Sequence, residues 1–133
     1  MKKITFLLAF SLVSVFANHC FSQNIVINEV LASNTNSIED ENGSKEDWVE
    51  LYNNGPASVN LLGYGLTDDP ALPFKWTFPN VTVASGQYLI VWCSDKNRSV
   101  AGQPLHTNWK ISGSGEIITL TNTSAIAVST APA

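Results

Sequence analysis

The 133-residue chain carries 7 basic and 11 acidic residues, a formal charge of −4. With no basic stripe to offset the acid, it would repel DNA or RNA phosphates, which excludes nucleic acid as its partner. The length suits one domain, with a core that needs no disulfide staples.

Met1 to Ser22 reads as a secretory signal. Lys2 and Lys3 form its positive end, and Ile4 to Phe16 is apolar except for Thr5, Ser11 and Ser14. Cys20-Phe21-Ser22 places small residues at −3 and −1 of a cleavage point, so Gln23 is the expected first mature residue. The apolar run is short for a membrane span. Export to the periplasm, cell surface or medium is expected, with no membrane span after cleavage. Loss of the two lysines leaves five basic residues against 11 acidic ones, a balance of about −6.

Beyond the signal, short apolar runs alternate with Gly, Pro, Asn, Asp and Ser clusters, the mark of an all-β sandwich or barrel. The first predicted strand is Ile25–Leu31. A polar, acidic loop follows, from Ala32 to Glu46. Asp47–Tyr52 alternates cleanly, with Trp48, Glu50 and Tyr52 on one face and Asp47, Val49 and Leu51 on the other. Asn53-Asn54-Gly55-Pro56 supplies turn chemistry before Ser58–Leu61 and a weaker strand at Tyr64–Thr67. Asp68-Asp69-Pro70 turns the chain toward Lys75–Phe78 and a weaker Val81–Val83. Tyr88–Cys93 is the most apolar strand. The long polar loop Ser94 to Thr107 precedes Trp109–Ile111. Ser112 to Gly115 is a tight turn into Glu116–Thr121, and a last weak strand is predicted at Ile126–Ser129.

Chemistry-bearing residues are sparse. Cys20 leaves with the signal, and Cys93 reads as a small buried hydrophobe. His106 is the one mature histidine, and nothing in the sequence couples it to Cys93. There is no G-x-S-x-G, no H-E-x-x-H and no phosphate-cradling glycine loop. The acidic loop Glu39-Asp40-Glu41-Asn42 keeps part of a calcium-loop spacing through Asp40, Asn42 and Gly43. Its first and twelfth positions would be Ile38 and Val49, which cannot bind a cation, and strands rather than helices flank it. Among the tryptophans, Trp109 lies beside the long second loop and is the predicted ligand contact.

Four segments occur in order: "IVINEVLASN" at 25–34, "DWVELYNNGPASVNLLGYGLTDD" at 47–69, "KWTFPNVTVASGQYLIVWCS" at 75–94 and "HTNWKISGSGEIITLTN" at 106–122. Together they resemble the lamin tail domain in its bacterial, secreted form, over nearly all of Ile25 to Asn122. The resemblance implies an immunoglobulin-like β-sandwich. It also implies a non-catalytic module that contacts another protein, a surface polymer or a neighbouring domain. In bacteria such domains accompany exported nucleases, other hydrolases and spore-coat-type kinases. The alternative is therefore an accessory domain of an exported enzyme whose catalytic part lies beyond Ala133. After "GEIITLTN" the family carries one or two further strands, whereas "TSAIAVSTAPA" only begins that hairpin. The last strand or strands are thus expected to be missing, and the natural chain to continue.

The family motifs "INE" and "W-[IV]-E-L" place Glu29, Trp48 and Glu50 among its defining positions. Strict alternation puts Glu29 on the apolar face of Ile25, Ile27 and Leu31. A carboxylate held against apolar surface costs several kcal/mol unless it is paired or hydrogen-bonded. Three roles stay open for Glu29 and Glu50: hydrogen-bonded scaffold, a Ca²⁺ site shared with the acidic loop, or an acid/base pair of the glycosidase type. No other cofactor is expected.

Overall fold

The computed structural model describes residues 24–133. The secretory signal expected at Met1 to Ser22, and Gln23 after it, lie outside the described residues. Ten strands form: β1 (Ile25–Leu31), β2 (Asp47–Asn53), β3 (Val59–Asn60), β4 (Gly65–Thr67), β5 (Trp76–Thr77), β6 (Thr82–Val83), β7 (Tyr88–Cys93), β8 (Leu105–His106), β9 (Ile117–Thr121) and β10 (Ala127–Pro132). They build two four-stranded sheets, ordered β1-β2-β7-β8 and β10-β9-β4-β5, with β3 and β6 as a small separate pair. This is the all-β, immunoglobulin-like sandwich that the sequence predicts.

The alternation of β2 explains the layering. Val49 and Leu51 are fully buried, and on β7 they face Val91 and Leu89. The opposite sheet contributes Leu66, Ile118 and Leu120, also fully buried. Such interdigitating aliphatic rows supply the main free energy of a sandwich. Trp76 and Phe78 close one end, edge to face with ring centres 4.9 Å apart. At Gly65 a β-carbon would lie 2.0 Å from the Pro73 carbonyl oxygen, so only glycine lets the β4–β5 turn approach so closely.

A β-bulge reshapes β1. Ile25 and Ile27 face the core opposite Asn53 and Leu51, but the register shifts between Ile27 and Glu29. Asn28 is the extra residue, so the core face passes to Val30 and Ala32. Glu29 consequently lies exposed opposite Glu50, on the outer face. The bulge overturns the apolar stripe predicted for Glu29.

Two other expectations change. No strand forms at Trp109–Ile111, where a single bridge joins Ser94 to Lys110. Trp109 and Ile111 are nevertheless core residues. Instead β8 forms inside the second loop, parallel to β7, with Leu105 opposite Val91 and His106 opposite Trp92. A two-residue strand carries no periodic signal, and only the neighbouring strand specifies it. The predicted Ile126–Ser129 strand runs instead over Ala127–Pro132 and pairs along β9 as far as Ile117. The Ile27 amide donates to Ser129 Oγ at 3.0 Å, joining the edges of the two sheets.

Candidate functional site

The two long loops meet in a polar knot beside the β7–β8 end of the first sheet. Local hydrogen bonds shape the first loop. Asn34 sits at its base: its Nδ2 donates to the carbonyls of Ile38 (2.8 Å) and Glu46 (3.0 Å), and its Oδ1 accepts from the Ser37 amide (2.9 Å). At the tip, Asp40 Oδ1 accepts from the amides of Asn42 and Ser44, each at 2.9 Å, and Gly43 takes the positive φ of 75° that this turn needs. In the second loop, Arg98 and His106 exchange backbone hydrogen bonds, which folds the segment back on itself.

Charge then joins the loops. Lys96 pairs with Asp40 and reaches Glu46 at 3.4 Å, while Arg98 pairs with Glu41. Lys110 lies 3.5 Å from Glu46. His106 is wholly buried between them: its Nε2 is 3.1 Å from Glu41 Oε2, and its Nδ1 is 2.7 Å from Ser94 Oγ. Its ring lies nearly parallel to Trp92, with centroids 6.5 Å apart. Burial works against the charge on Asp40, but Lys96 and the amides of Ser44 and Asn42 outweigh it and hold the carboxyl down at about 2. Glu41 also sits below the usual carboxylate range. Burial opposes its charge, yet its own amide, His106 and Arg98 prevail. The Asp40 carboxylate in turn pushes Lys96 up.

Ser94, His106 and Glu41 form a hydroxyl–imidazole–carboxylate row, but the order on the ring is reversed. In a serine-hydrolase triad the hydroxyl lies on Nε2 and the carboxylate on Nδ1. Here Ser94 is on Nδ1, and both Ser94 and His106 are buried. The surface depressions lined by Ser33 to Ser37, by Thr67 and Ile117, and by Ala71 to Lys75 do not open onto this row. Asp40, Glu41 and His106 offer ligand atoms within 4.8 Å of one another. A metal ion would have to displace Lys96 and Arg98 from those carboxylates. Ca²⁺ also wants six to eight oxygens, so these residues fit an internal ion-pair knot and do not fit a calcium cage.

The chain matches the family model described as Lamin Tail Domain over residues 22–131.
The protein belongs to the lamin tail domain family.
No curated protein matches the chain.

In this lamin tail domain, the motif positions Glu29, Trp48 and Glu50 occupy the outer face of the first sheet. Trp48 is packed there at 6% exposure, in register with Leu31 on one side and Trp92 on the other. Glu50 is half-buried and accepts from Asn28 Nδ2 at 2.8 Å. Glu29 is its cross-strand neighbour. Trp109, predicted as a ligand contact, is a core side chain at 5% exposure, with the Lys75 ammonium 5.9 Å from its ring centre. Cys93 is buried in the core as expected, and burial pushes its thiol up. It points into the sandwich, whereas His106 lies on the outer side with Trp92, so the two do not meet. Sequence reasoning missed Ser94, Lys96, Arg98 and His106 as a group. The available signal was charge: Lys96 and Arg98 in the second loop complement Asp40, Glu41 and Glu46 in the first.

Proposed function

We propose that this lamin tail domain is a non-catalytic binding or accessory module of an exported protein, contacting another protein or a surface polymer. One observation carries this reading. Among the described residues, the row that resembles catalytic machinery is Ser94–His106–Glu41; its hydroxyl and imidazole are buried, and its hydrogen bonds are spent on joining two loops. Glu29 and Glu50 support it too. They are adjacent across β1 and β2 on the outer face of the first sheet, and the depressions at Ser33 to Ser37, at Thr67 and Ile117 and at Ala71 to Lys75 include neither, whereas a glycosidase holds its sugar between two carboxyls. Export rests on the composition of Met1 to Ser22.

The test pairs activity with stability. Purified protein is assayed for ester, phosphodiester and glycoside hydrolysis beside a Ser94→Ala variant. No hydrolysis is expected from either. The variant should unfold at a lower temperature, because His106 Nδ1 loses its partner inside the protein, a loss of about 1–3 kcal/mol. Hydrolysis by the wild type that vanishes in Ser94→Ala would overturn the reading.

A further inference from the structure

The outer face of the first sheet is divided. At one end Trp48, Trp92 and His106 are buried, and the acidic loop is clipped to His106 through Glu41. At the other end, among the described residues, Glu29 and Tyr88 are exposed and Glu50 and Tyr52 only half-buried. The rings of Tyr52 and Tyr88 stack across β2 and β7 with centroids 4.5 Å apart and planes 25° apart, and Tyr88 is 55% exposed. The next row carries Glu29, Glu50 and Ile90 in register, with the bulge residue Asn28 beside them.

The charge on this half-face is uncompensated. Glu29 and Glu50 oppose each other across the strands, where like charges repel. Asn28 supplies Glu50 with one neutral hydrogen bond, and among the described residues neither acid has an ion-pair partner. The basic side chains of the described chain are held on loops elsewhere. Lys45 bonds the Thr35 carbonyl, Lys75 pairs with Asp68, Lys96 and Arg98 serve the knot, and Lys110 lies near Glu46. The cation that would neutralise this row therefore comes from outside the described residues.

We propose that this half-face, Glu29, Glu50, Asn28, Tyr52, Tyr88 and Ile90, is the docking surface for a cationic segment of a partner protein. An arginine or lysine of the partner lies between the two carboxylates. Its neighbouring side chains lie on the tyrosine pair, whose ring faces attract cations and whose edges cover apolar surface. The bulge has a role here: the extra residue turns Glu29 from the core side to the side of Glu50 and so makes the carboxylate pair. The like-charge pair costs stability in isolation, and the exposed ring of Tyr88 adds apolar surface to the open face. A basic partner uses both.

This proposal rests on the binding-module reading. The test titrates the isotope-labelled, signal-free protein with a ten-residue peptide of alternating Arg and Gly. Its Glu–Gly counterpart and an uncharged cello-oligosaccharide are titrated in parallel, with amide shifts followed by NMR. The Arg–Gly peptide is expected to shift amides of β1, β2 and β7 around Glu29, Glu50 and Tyr88, and the acidic peptide is expected to shift none. The double variant Glu29→Gln/Glu50→Gln, and separately Tyr88→Ala, should weaken binding at least fivefold with the spectrum otherwise unchanged. Glu39→Gln, an exposed acid in the first loop, should leave it unaltered, and added salt should weaken it. Absence of peptide binding, equal weakening by Glu39→Gln, or shifts centred on the acidic loop would overturn the proposal. So would oligosaccharide binding at this face without a peptide response. That last result leaves a binding module with a different partner, whereas hydrolysis in the Ser94→Ala comparison removes the module reading itself.

Discussion

Replacing Asp40 by Asn tests how the two loops are held. The substitution keeps an oxygen for the Asn42 and Ser44 amides and removes only the charge that faces Lys96. The carboxyl sits at about 2 rather than at its ordinary 3.8. At about 1.4 kcal/mol per decade, that difference is worth roughly 2 kcal/mol at neutral pH. Lys96 is 28% exposed, so water screens part of the interaction, and the expected loss is about 1–2 kcal/mol. For a domain of this size such a loss lowers Tm by about 4–10 °C. The pH dependence has a definite sign. The folded carboxyl binds its proton less readily than the unfolded one. The stabilisation is therefore complete above pH ~5 and is lost as the pH falls toward about 2. Thermal unfolding followed by circular dichroism at pH 7, 4 and 2.5 reads this directly. Wild type and Asp40→Asn should differ most at pH 7, nearly as much at pH 4, and by about a third of the pH 7 gap at pH 2.5. An equal gap at all three values would show that packing rather than charge is lost. No gap at pH 7 would show that the pair contributes nothing.

Three further outcomes follow from the packing and the face. Gly65→Ala forces a β-carbon onto the Pro73 carbonyl, 2.0 Å away, and should cost at least about 2 kcal/mol by denaturant titration. An unchanged midpoint would mean that the β4–β5 turn yields freely. Asn53→Ala removes three hydrogen bonds from a fully buried side chain, those to the Ala57 and Val83 carbonyls and from the Gly55 amide. About 3 kcal/mol of stability should be lost, and a change under ~1 kcal/mol would contradict that role. Glu50→Gln relieves the repulsion with Glu29 and should raise stability by about 0.5 kcal/mol at low salt, with the gain vanishing at high salt. A salt-independent loss would instead mark Glu50 as a structural carboxylate.

Local pattern by itself determined most of the sandwich. The long strands β1, β2, β7 and β9 were legible because one face of each is buried, and a period of two imprints that burial on the residues. The turn chemistry at Asn53 to Pro56 was legible for the same local reason. Cys93 was readable as core from its apolar neighbours, and the four ordered segments were enough to indicate the family. Tertiary structure decided the rest. β8 exists because β7 offers it an edge, and two residues hold no period. The bulge at Asn28 decided on which side Glu29 lies. Val30 and Leu31 are both apolar, so either parity satisfied the sequence until the pairing with β2 selected Val30 opposite Val49. The knot of Asp40, Glu41, Lys96, Arg98 and His106 joins residues more than 50 positions apart. Complementary charges in two loops carry no register, so only the packing of both loops against one sheet end sets which carboxylate meets which cation. Trp109 likewise became core because the second loop folds back along β7, which no stretch of residues around it specifies.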